Sequence, residues 1–225
     1  MPIAALYDIH GNLPALEAVL AELGDVDPIV VGGDVAWGPM PEATIDLLAG
    51  LGDRALFVMG NADREVAGRF DESGRKDVAE ITAWVHDRLN DHQRAFLHSF
   101  ASTLTLRIEG LGATLFCHGS PRSDTEAITE TTSDLAVAEM LSGADAEVVV
   151  CGHTHRPFDR TVGNKRIINP GSVGLPYGER GAFWAQLGHE VELKRTDYDY
   201  AAAARLFEEG GVPYASEFIA DIIPH

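Results

Sequence analysis

The stretch from residue 3 to residue 34 reads IAALYDIHGNLPALEAVLAELGDVDPIVVGGD and alternates two apolar runs with one amphipathic segment. The runs Ile3 to Tyr7 and Pro28 to Val31 are short and continuously apolar, which is typical of buried strands. The segment between them has Pro14 at a predicted first helical position and Gly24 as its stop. A strand, a helix and a strand at this spacing form a right-handed crossover, so the stretch predicts a parallel sheet with a helix on its face.

The same alternation continues to residue 59. A second amphipathic segment begins at Pro41 and ends at Gly52, and the apolar run Ala55 to Met59 predicts a third strand. Residues 63–100 are more polar and have a helical spacing of apolar positions. This segment is predicted either as a helical cap over a site or as surface helices that pad the sheet.

Strand patterns return after residue 103 and predict a second sheet. TLTLRI and ATLFC flank the turn EGLG, and VVVC follows a predicted helix from Asp134 to Leu141. Runs at Arg166 to Ile168, Ala182 to Leu187 and Val191 to Leu193 are separated by glycine-containing turns, as in a hairpin meander. The tail from Tyr200 is predicted as a helix followed by an irregular end. No repeat or linker composition interrupts the chain, so a single domain over residues 1–225 is predicted.

Composition limits the classes of partner. The 225 residues include 17 basic and 35 acidic side chains, and a formal charge of -18 argues against a surface that binds a nucleic-acid duplex. A small phosphorylated ligand, such as a nucleotide, needs only one local positive focus, which a bound divalent metal provides. No signal peptide or long apolar run is apparent, and Cys117 and Cys151 are predicted to be buried free thiols. These features predict a cytoplasmic protein without a membrane span, and they leave open whether it forms a homo-oligomer.

Several predicted strands end beside oxygen or nitrogen donors. In an open α/β sheet the carboxyl ends of parallel strands share one edge, so donors far apart in sequence are expected to meet there. Glycines beside these donors permit a close approach that a side chain would block. The bend that points His153 and His155 in different directions is expected from Gly152 and Pro157. The donors are Asp8, His10, Asp34, Asn61, His118, His153 and His155.

This donor set combines imidazole nitrogens with carboxylate and amide oxygens, which suits borderline or hard divalent ions. Seven donors are too many for one tetrahedral ion, but they fit two ions that share a bridging carboxylate. Asp8 and Asp34 would repel each other in a confined metal-free site, whereas two divalent ions leave a net positive focus. The sequence therefore predicts a dinuclear metal centre.

The ordered blocks D-x-H, G-D, G-N, H and G-H-x-H resemble the signature of the calcineurin-like metallophosphoesterase superfamily. The resemblance covers about residues 3–175 and looks closest to the small bacterial phosphodiesterase-like branch, where DIHGN, HGSPRSDTE and INPGSVGLP recur. It implies an α/β fold, a four-layer α/β/β/α sandwich of two mixed sheets flanked by helices. The metal site is then expected at the carboxyl ends of the strands.

The resemblance also implies an activity and cofactors. Two divalent metal ions are expected, with manganese favoured and iron, zinc, nickel or cobalt as alternatives. A metal-bridging hydroxide would hydrolyse phosphodiester or nucleotide phosphoanhydride bonds directly, without a phosphoenzyme. The implied ligands are Asp8, His10 and His155 for one ion, and Asn61, His118 and His153, also the predicted catalytic residues, for the other, with Asp34 bridging the two.

The segment GNAD at residues 60–63 departs from the family pattern. Many relatives carry a histidine directly after the asparagine as a proposed general acid, and this chain has Ala62. Asp63 is the titratable neighbour, but a helix N-cap is the favoured interpretation of it. Leaving-group protonation is therefore unassigned. Substrates with acidic leaving groups are expected to react faster than alkyl esters, and equal rates would show that another acid is present.

Two arginines are candidates for substrate binding. Arg122 lies four residues after His118, and Arg64 lies just past the Gly60–Asn61 turn, so either could bind a phosphate bidentately. The alternative for each is an ordinary solvated arginine.

The alternative function is a noncatalytic metal-binding scaffold or interaction protein on the same fold, as the retromer subunit of this superfamily is. A scaffold does not need all seven donors, and this sequence retains them. A nuclease acting on DNA is disfavoured by the acidic charge balance.

Overall fold

Two five-stranded mixed sheets with helices on their outer faces form the fold of the computed structural model, which describes residues 2–222. The strands are β1 (Ile3–Leu6), β2 (Ile29–Val31), β3 (Ala55–Phe57), β4 (Thr103–Ile108), β5 (Gly112–Cys117), β6 (Val148–Val150), β7 (Phe158–Val162), β8 (Lys165–Asn169), β9 (Ala182–Leu187) and β10 (Val191–Thr196). The helices are α1 (Leu13–Leu23), α2 (Pro41–Ala49), α3 (Asn61–Gly68), α4 (Lys76–Arg88), α5 (Asp91–His98), α6 (Asp134–Met140), α7 (Tyr200–Gly210) and α8 (Ala215–Ile222).

The first sheet has the strand order β10-β9-β1-β2-β3. The strands β1, β2 and β3 are parallel, as the alternation over residues 3–59 predicts, and α1 and α2 connect them. Helix α1 has a proline in its first turn, and the Asn12 side chain accepts a hydrogen bond from the Ala15 amide at its N-terminus. Both features favour a helix start at this point.

The second sheet has the order β4-β5-β6-β8-β7, with β5, β6 and β8 parallel. The predicted meander of the last strands is wrong, because the β9–β10 hairpin leaves this sheet and pairs antiparallel to β1 in the first one. Strand β7 and helix α8 were not predicted. In β7 three consecutive polar residues separate the buried ends Phe158 and Val162, so no apolar run marks the strand in the sequence.

The space between the two sheets is filled by apolar side chains from both, including Val30, Phe116 and Ile168. Tyr7, directly after β1, is fully buried there, and its hydroxyl donates a hydrogen bond to the carbonyl of Val150 in β6 over 3.1 Å. This bond joins the two sheets at the carboxyl ends of β1 and β6. Helices cover the outer faces, with α6 on the second sheet and the others on the first.

The segment 63–100 contains most of α3, α4 and α5. Ile81, Val85 and Leu97 are buried in the same apolar cluster as the first sheet, so these helices pad it. Arg75 and Val78, where α4 begins, also line the cleft described below. The single-domain organisation and a capping role for this segment stay predictions.

Cys117 and Cys151 are both buried free thiols, as the sequence predicts. Burial raises the pKa of both thiols, that of Cys151 to about 12, so neither is reactive at neutral pH. Within residues 2–222 no helix is both long and apolar enough to span a bilayer.

Candidate metal centre

The predicted donors lie where strands end. Because β1 and β2 are parallel in one sheet, and β5 and β6 in the other, their carboxyl ends point to one edge of the sandwich. The donors are Asp8 and His10 after β1, Asp34 after β2, Asn61 at the first position of α3, His118 after β5, and His153 and His155 after β6.

Six of the donors form two groups of three, within each of which the candidate ligand atoms lie within 4.8 Å of one another. The first group consists of the three residues that the resemblance implies for one ion, and the second contains His118 and His153 with Asp34 in the place of Asn61. Binding of an ion by either group stays a prediction. The groups are Asp8, His10 and His155, and Asp34, His118 and His153.

Asp34 belongs to the second group and also faces the first. Its Oδ2 is 3.3 Å from Nε2 of His118 and 3.8 Å from Nε2 of His10. Its Oδ1 accepts a hydrogen bond from the Ala62 amide over 2.8 Å, at the N-terminus of α3. One oxygen is thus held by the backbone while the other faces both groups, which is the arrangement that a bridging ligand needs.

Backbone carbonyls set the orientation of three histidine rings. The Nδ1 atoms of His10, His118 and His155 lie 3.0, 2.9 and 2.6 Å from the carbonyl oxygens of Trp37, Gly32 and Leu175. A carbonyl only accepts, so each Nδ1 donates and each Nε2 is left free to ligate, as is usual for metal-binding histidines.

Because of this orientation, the Nε2 atoms of His10 and His155 face each other as two acceptors. Nε2 of His10 lies 3.1 Å from Nε2 of His155. Two imidazoles that both donate through Nδ1 have no proton between these atoms, so their lone pairs repel. A proton or a cation at this position removes the repulsion.

Buried polar atoms that lack a hydrogen-bond partner are concentrated at this centre. Within residues 2–222, five buried side-chain oxygen or nitrogen atoms have no hydrogen-bond partner. Three of them are donors of this centre: Asp8 Oδ1, Asn61 Oδ1 and His118 Nε2. Buried polar atoms are normally satisfied, so their concentration here fits divalent metals as the missing partners.

Charge and burial oppose each other at the centre. Burial lowers the pKa of His10 to about 4, and the neighbouring His155 adds to this effect. Burial also opposes a charge on His118, yet the carboxylates of Asp34 and Asp8 raise its pKa to about 10. Asp8 similarly outweighs burial and raises the pKa of His155. Without metal, a proton on His118 offsets part of the charge of the two carboxylates, and a cation that binds must displace it.

The backbone of the centre is strained. Seven non-glycine residues of the described chain have a positive φ, and five of them are predicted ligands. The backbone bend expected from Gly152 and Pro157 is made instead by His153 and His155, whose own φ angles are positive. Such conformations cost free energy and cluster at functional sites. The five are Asp8 (φ 53°), His10 (48°), Asp34 (53°), His153 (65°) and His155 (58°).

Two glycines beside the donors allow the close approach that the sequence predicts. A Cβ on Gly152 would lie 2.7 Å from Asp8 Oδ2 and 2.4 Å from the Tyr7 ring. A Cβ on Gly60 would lie 2.2 Å from Asp34 Oδ1 and 2.3 Å from the Asp34 amide nitrogen. Both distances to Asp34 are too short for any side chain, so alanine at position 60 must move the bridging candidate.

Replacing Gly60 by alanine is therefore expected to reduce the metal-dependent activity of this centre on the order of 100-fold, the scale of a 1 Å misplacement of a catalytic group. Steady-state kinetics with saturating metal measure the effect. Gly188→Ala is the matched control, because its Cβ meets no atom closer than 3.7 Å. Full activity of Gly60→Ala would contradict the packing argument.

Asp63 has a structural role, but it is not the N-cap that the sequence favours, because α3 begins two residues earlier at Asn61 and its N-cap is Gly60. Its Oδ1 accepts the Val35 amide at 2.8 Å, and its Oδ2 accepts the amide of the N-cap residue Gly60 at 3.3 Å. Burial, together with the Asp34 carboxylate, raises its pKa to about 7. Its oxygens are nevertheless held by backbone amides that join the turns after β2 and β3.

The two candidate substrate arginines are paired with carboxylates. Arg64 Nε lies 2.7 Å from Asp124 Oδ2, and its NH2 group lies 2.9 Å from Glu72 Oε2. Arg122 makes a short bidentate pair with Glu126. Neither arginine lines the cleft at the donors. A substrate-binding role for either stays a prediction and requires the existing ion pairs to break.

The cleft at the donors has a volume of about 260 Å³. Sequence reasoning missed its other walls. Arg75 and Glu65 look like solvated helix residues in the sequence, and only the packing of α3 and α4 brings them here. The Tyr177 ring stacks on His155, with centroids 4.7 Å apart. Beside the donors, the lining residues are Trp37, Ala62, Glu65, Arg75, Val78, Leu175 and Tyr177.

Comparison with known proteins relates this geometry to a family. Residues 1–187 match the calcineurin-like phosphoesterase superfamily domain. Phosphodiesterase YfcE of Escherichia coli K12 is 27% identical over 203 residues, which cover 85% of this chain and 89% of that protein. The crystal structure of a metallophosphoesterase from Sphaerobacter thermophilus superposes with a TM-score of 0.78 at 28% identity, covering 98% of this chain and 97% of the other. Hypothetical protein PH1004 of Pyrococcus horikoshii OT3 has the same fold, with a TM-score of 0.83 at 20% identity, covering 97% and 96%.

Proposed function

Because the chain belongs to the calcineurin-like phosphoesterase superfamily, we propose that it is a dinuclear metal-dependent hydrolase of phosphodiester or nucleotide phosphoanhydride bonds. The observation that carries the proposal is the pair of three-residue donor groups, with Asp34 Oδ2 facing both. Asp8 Oδ1, Asn61 Oδ1 and His118 Nε2 support it, since they are buried without a hydrogen-bond partner.

The residues proposed to hold the ions follow the two groups. Asp8, His10 and His155 hold one, and His118 and His153 hold the other together with Asn61 and the shared Asp34. Two divalent ions bound there would lower the pKa of a water molecule and neutralise charge on the phosphoryl oxygens.

The chain's own residues position the substrate for direct attack. The Asn61 amide keeps its Oδ1 for ligation, so its Nδ2 is free to donate a hydrogen bond to a phosphoryl oxygen. His153 is only partly buried and lines the cleft, whereas His118 is enclosed and acts as a fixed ligand. Stacking on Tyr177 fixes the plane of the His155 ring.

The proposed substrates are small phosphorylated molecules, with nucleotides among them. A net charge of -18 disfavours polyanionic duplexes. The similarity to phosphodiesterase YfcE favours diesters, and a cleft of about 260 Å³ suits a small ligand. Manganese is the proposed metal, and the proposed location is the cytoplasm.

The test is elemental analysis of protein purified without chelator, followed by assays of phosphodiesters, phosphomonoesters and dinucleoside polyphosphates with manganese added. About two metal equivalents per chain and hydrolysis of at least one diester or anhydride are expected. A protein that binds metal stoichiometrically yet hydrolyses none of these substrates would instead be the scaffold alternative.

Direct hydrolysis predicts the fate of the solvent oxygen. In a single turnover in ¹⁸O-labelled water, one labelled oxygen is expected in the phosphate product because water attacks phosphorus, and no phosphorylated residue is expected because no intermediate ester forms. Mass spectrometry of the product measures the label, and mass spectrometry of the intact protein detects any phosphorylated residue. A phosphorylated residue trapped during turnover would refute direct attack.

A further inference from the structure

The source of the proton for the leaving group is the unassigned step of the proposed reaction. The residue after Asn61 is Ala62, which has no titratable side chain, and the oxygens of Asp63 are occupied by the amides of Val35 and Gly60. An alkoxide is a poor leaving group unless it is protonated as it departs.

Glu65 is placed to fill this gap. It lies four residues after Asn61 in α3, and positions four apart share one face of a helix. Its side chain lines the same cleft as the donors and is only 5% exposed. Within residues 2–222 its carboxylate has neither a hydrogen-bond nor an ion-pair partner, although buried carboxylates are normally paired.

The other cleft residues do not offer this chemistry. Apart from the predicted metal ligands, the lining side chains are apolar or aromatic, with the exceptions of Glu65 and Arg75. Tyr177 is a weak acid whose pKa burial raises further, and Arg75 does not lose its proton near neutral pH. Glu65 is therefore the one carboxylic acid in the cleft that is free to transfer a proton.

We propose that Glu65 is the general acid that protonates the departing oxygen. The assignment rests on the proposed function. As the bond between phosphorus and the leaving oxygen breaks, the carboxyl proton of Glu65 passes to that oxygen, and an alcohol leaves. The carboxylate then recovers a proton from solvent water, so no other reactant is consumed.

The electrostatic surroundings agree with this role. Burial raises the pKa of Glu65 to about 7, and the carboxylates of Asp71, Asp34 and Glu72 act in the same direction, while Arg64 opposes them. Arg75, which also lines the cleft, is occupied by its ion pair with Asp77. A general acid is most effective when its pKa lies near the working pH.

The decisive experiment compares two phosphodiesters that differ only in the leaving group, one p-nitrophenolate and one alkoxide. Glu65→Gln is expected to lose on the order of 100-fold or more in kcat/KM on the alkyl ester, the usual scale of general acid catalysis. It is expected to change little on the p-nitrophenyl ester, which needs no proton. The steep leaving-group dependence expected from Ala62 alone should thus appear only in the variant.

A pH profile separates proton donation from a structural role. A general acid must be protonated, so kcat/KM of the wild type on the alkyl ester should fall as the pH rises through the pKa of Glu65. Glu65→Gln should lose this limb, and Glu65→Asp should retain it. Glu17→Gln, an exposed glutamate on α1, is the matched control. Metal content of Glu65→Gln is expected to equal that of the wild type.

The results that would overturn the assignment of Glu65 differ from those that would overturn the proposed function. Equal losses on both esters, or loss of metal from Glu65→Gln, would overturn the assignment of Glu65 while leaving the proposed function intact. A metal-loaded wild type that hydrolyses neither ester would overturn the proposed function itself.

Discussion

Replacing Asp34 by asparagine is expected to lower kcat/KM by on the order of 10³-fold, the scale on which the loss of one electrostatic group at the reaction centre acts. The variant is also expected to bind fewer than two metal equivalents per chain. Asparagine keeps an oxygen that accepts the Ala62 amide, now 2.8 Å from Oδ1. In place of Oδ2, however, it presents an NH2 group to His10 and His118. A donor cannot ligate a cation, and the bridging negative charge is lost.

The measurement combines metal analysis with kinetics on the best substrate from the panel. Asp25→Asn, an exposed aspartate in the turn after α1, is the matched control and should retain wild-type metal content and activity. Circular dichroism of the Asp34→Asn variant should match the wild type, because the hydrogen bond to α3 is preserved. Two tightly bound equivalents in this variant would show that Asp34 does not bridge.

Removal of metal is expected to lower Tm by about 8–16 °C for each site, when the free metal concentration before removal is about 1,000 times the Kd of that site. A ligand that binds only the folded state at this concentration stabilises by about 4 kcal/mol, and each kcal/mol shifts Tm by about 2–4 °C in a chain of this size. The physical reason lies in the metal-free centre. There, Nε2 of His10 faces Nε2 of His155 at 3.1 Å, and Asp8 Oδ1 has no hydrogen-bond partner.

Calorimetric scans of chelator-treated protein, before and after manganese is restored, check this stabilisation. The effect should grow between pH 6 and pH 9. The carboxylates of Asp34 and Asp8 raise the pKa of His118 to about 10, so a proton competes with the cation and is released when the cation binds. Asp34→Asn should show a smaller shift. An identical Tm with and without metal would argue against ion binding at this centre.

The sequence identified the donors because their positions follow from strand geometry. Asp8, Asp34 and His118 each follow an apolar run, and parallel strands bring such positions to one edge whatever lies between them. The spacing of strands and helices over residues 3–59 likewise determined the parallel part of the first sheet. In both cases the information is local, since a few consecutive residues define each element.

Other features depend on contacts that no local pattern records. The β9–β10 hairpin was recognised as a pair of strands, yet its choice of β1 as partner depends on which sheet edge was free. Arg64 and Arg122 looked available for a phosphate, but Asp124 and Glu126 pair with them in the fold. The Arg64–Asp124 ion pair joins distant segments and cannot be inferred from spacing, whereas Glu126 is only four residues from Arg122.

The amino-acid sequence by itself determined which side chains meet at the centre and that the fold is an α/β sandwich. Only the tertiary structure decided how those side chains are aimed. The positive φ angles of Asp8 and His155, and the carbonyls that hold each Nδ1, arise where turns from two sheets press together. It also decided that Glu65 lies unpaired in the cleft. Burial and the absence of a partner are properties of the packed molecule, because both depend on residues far away in the chain.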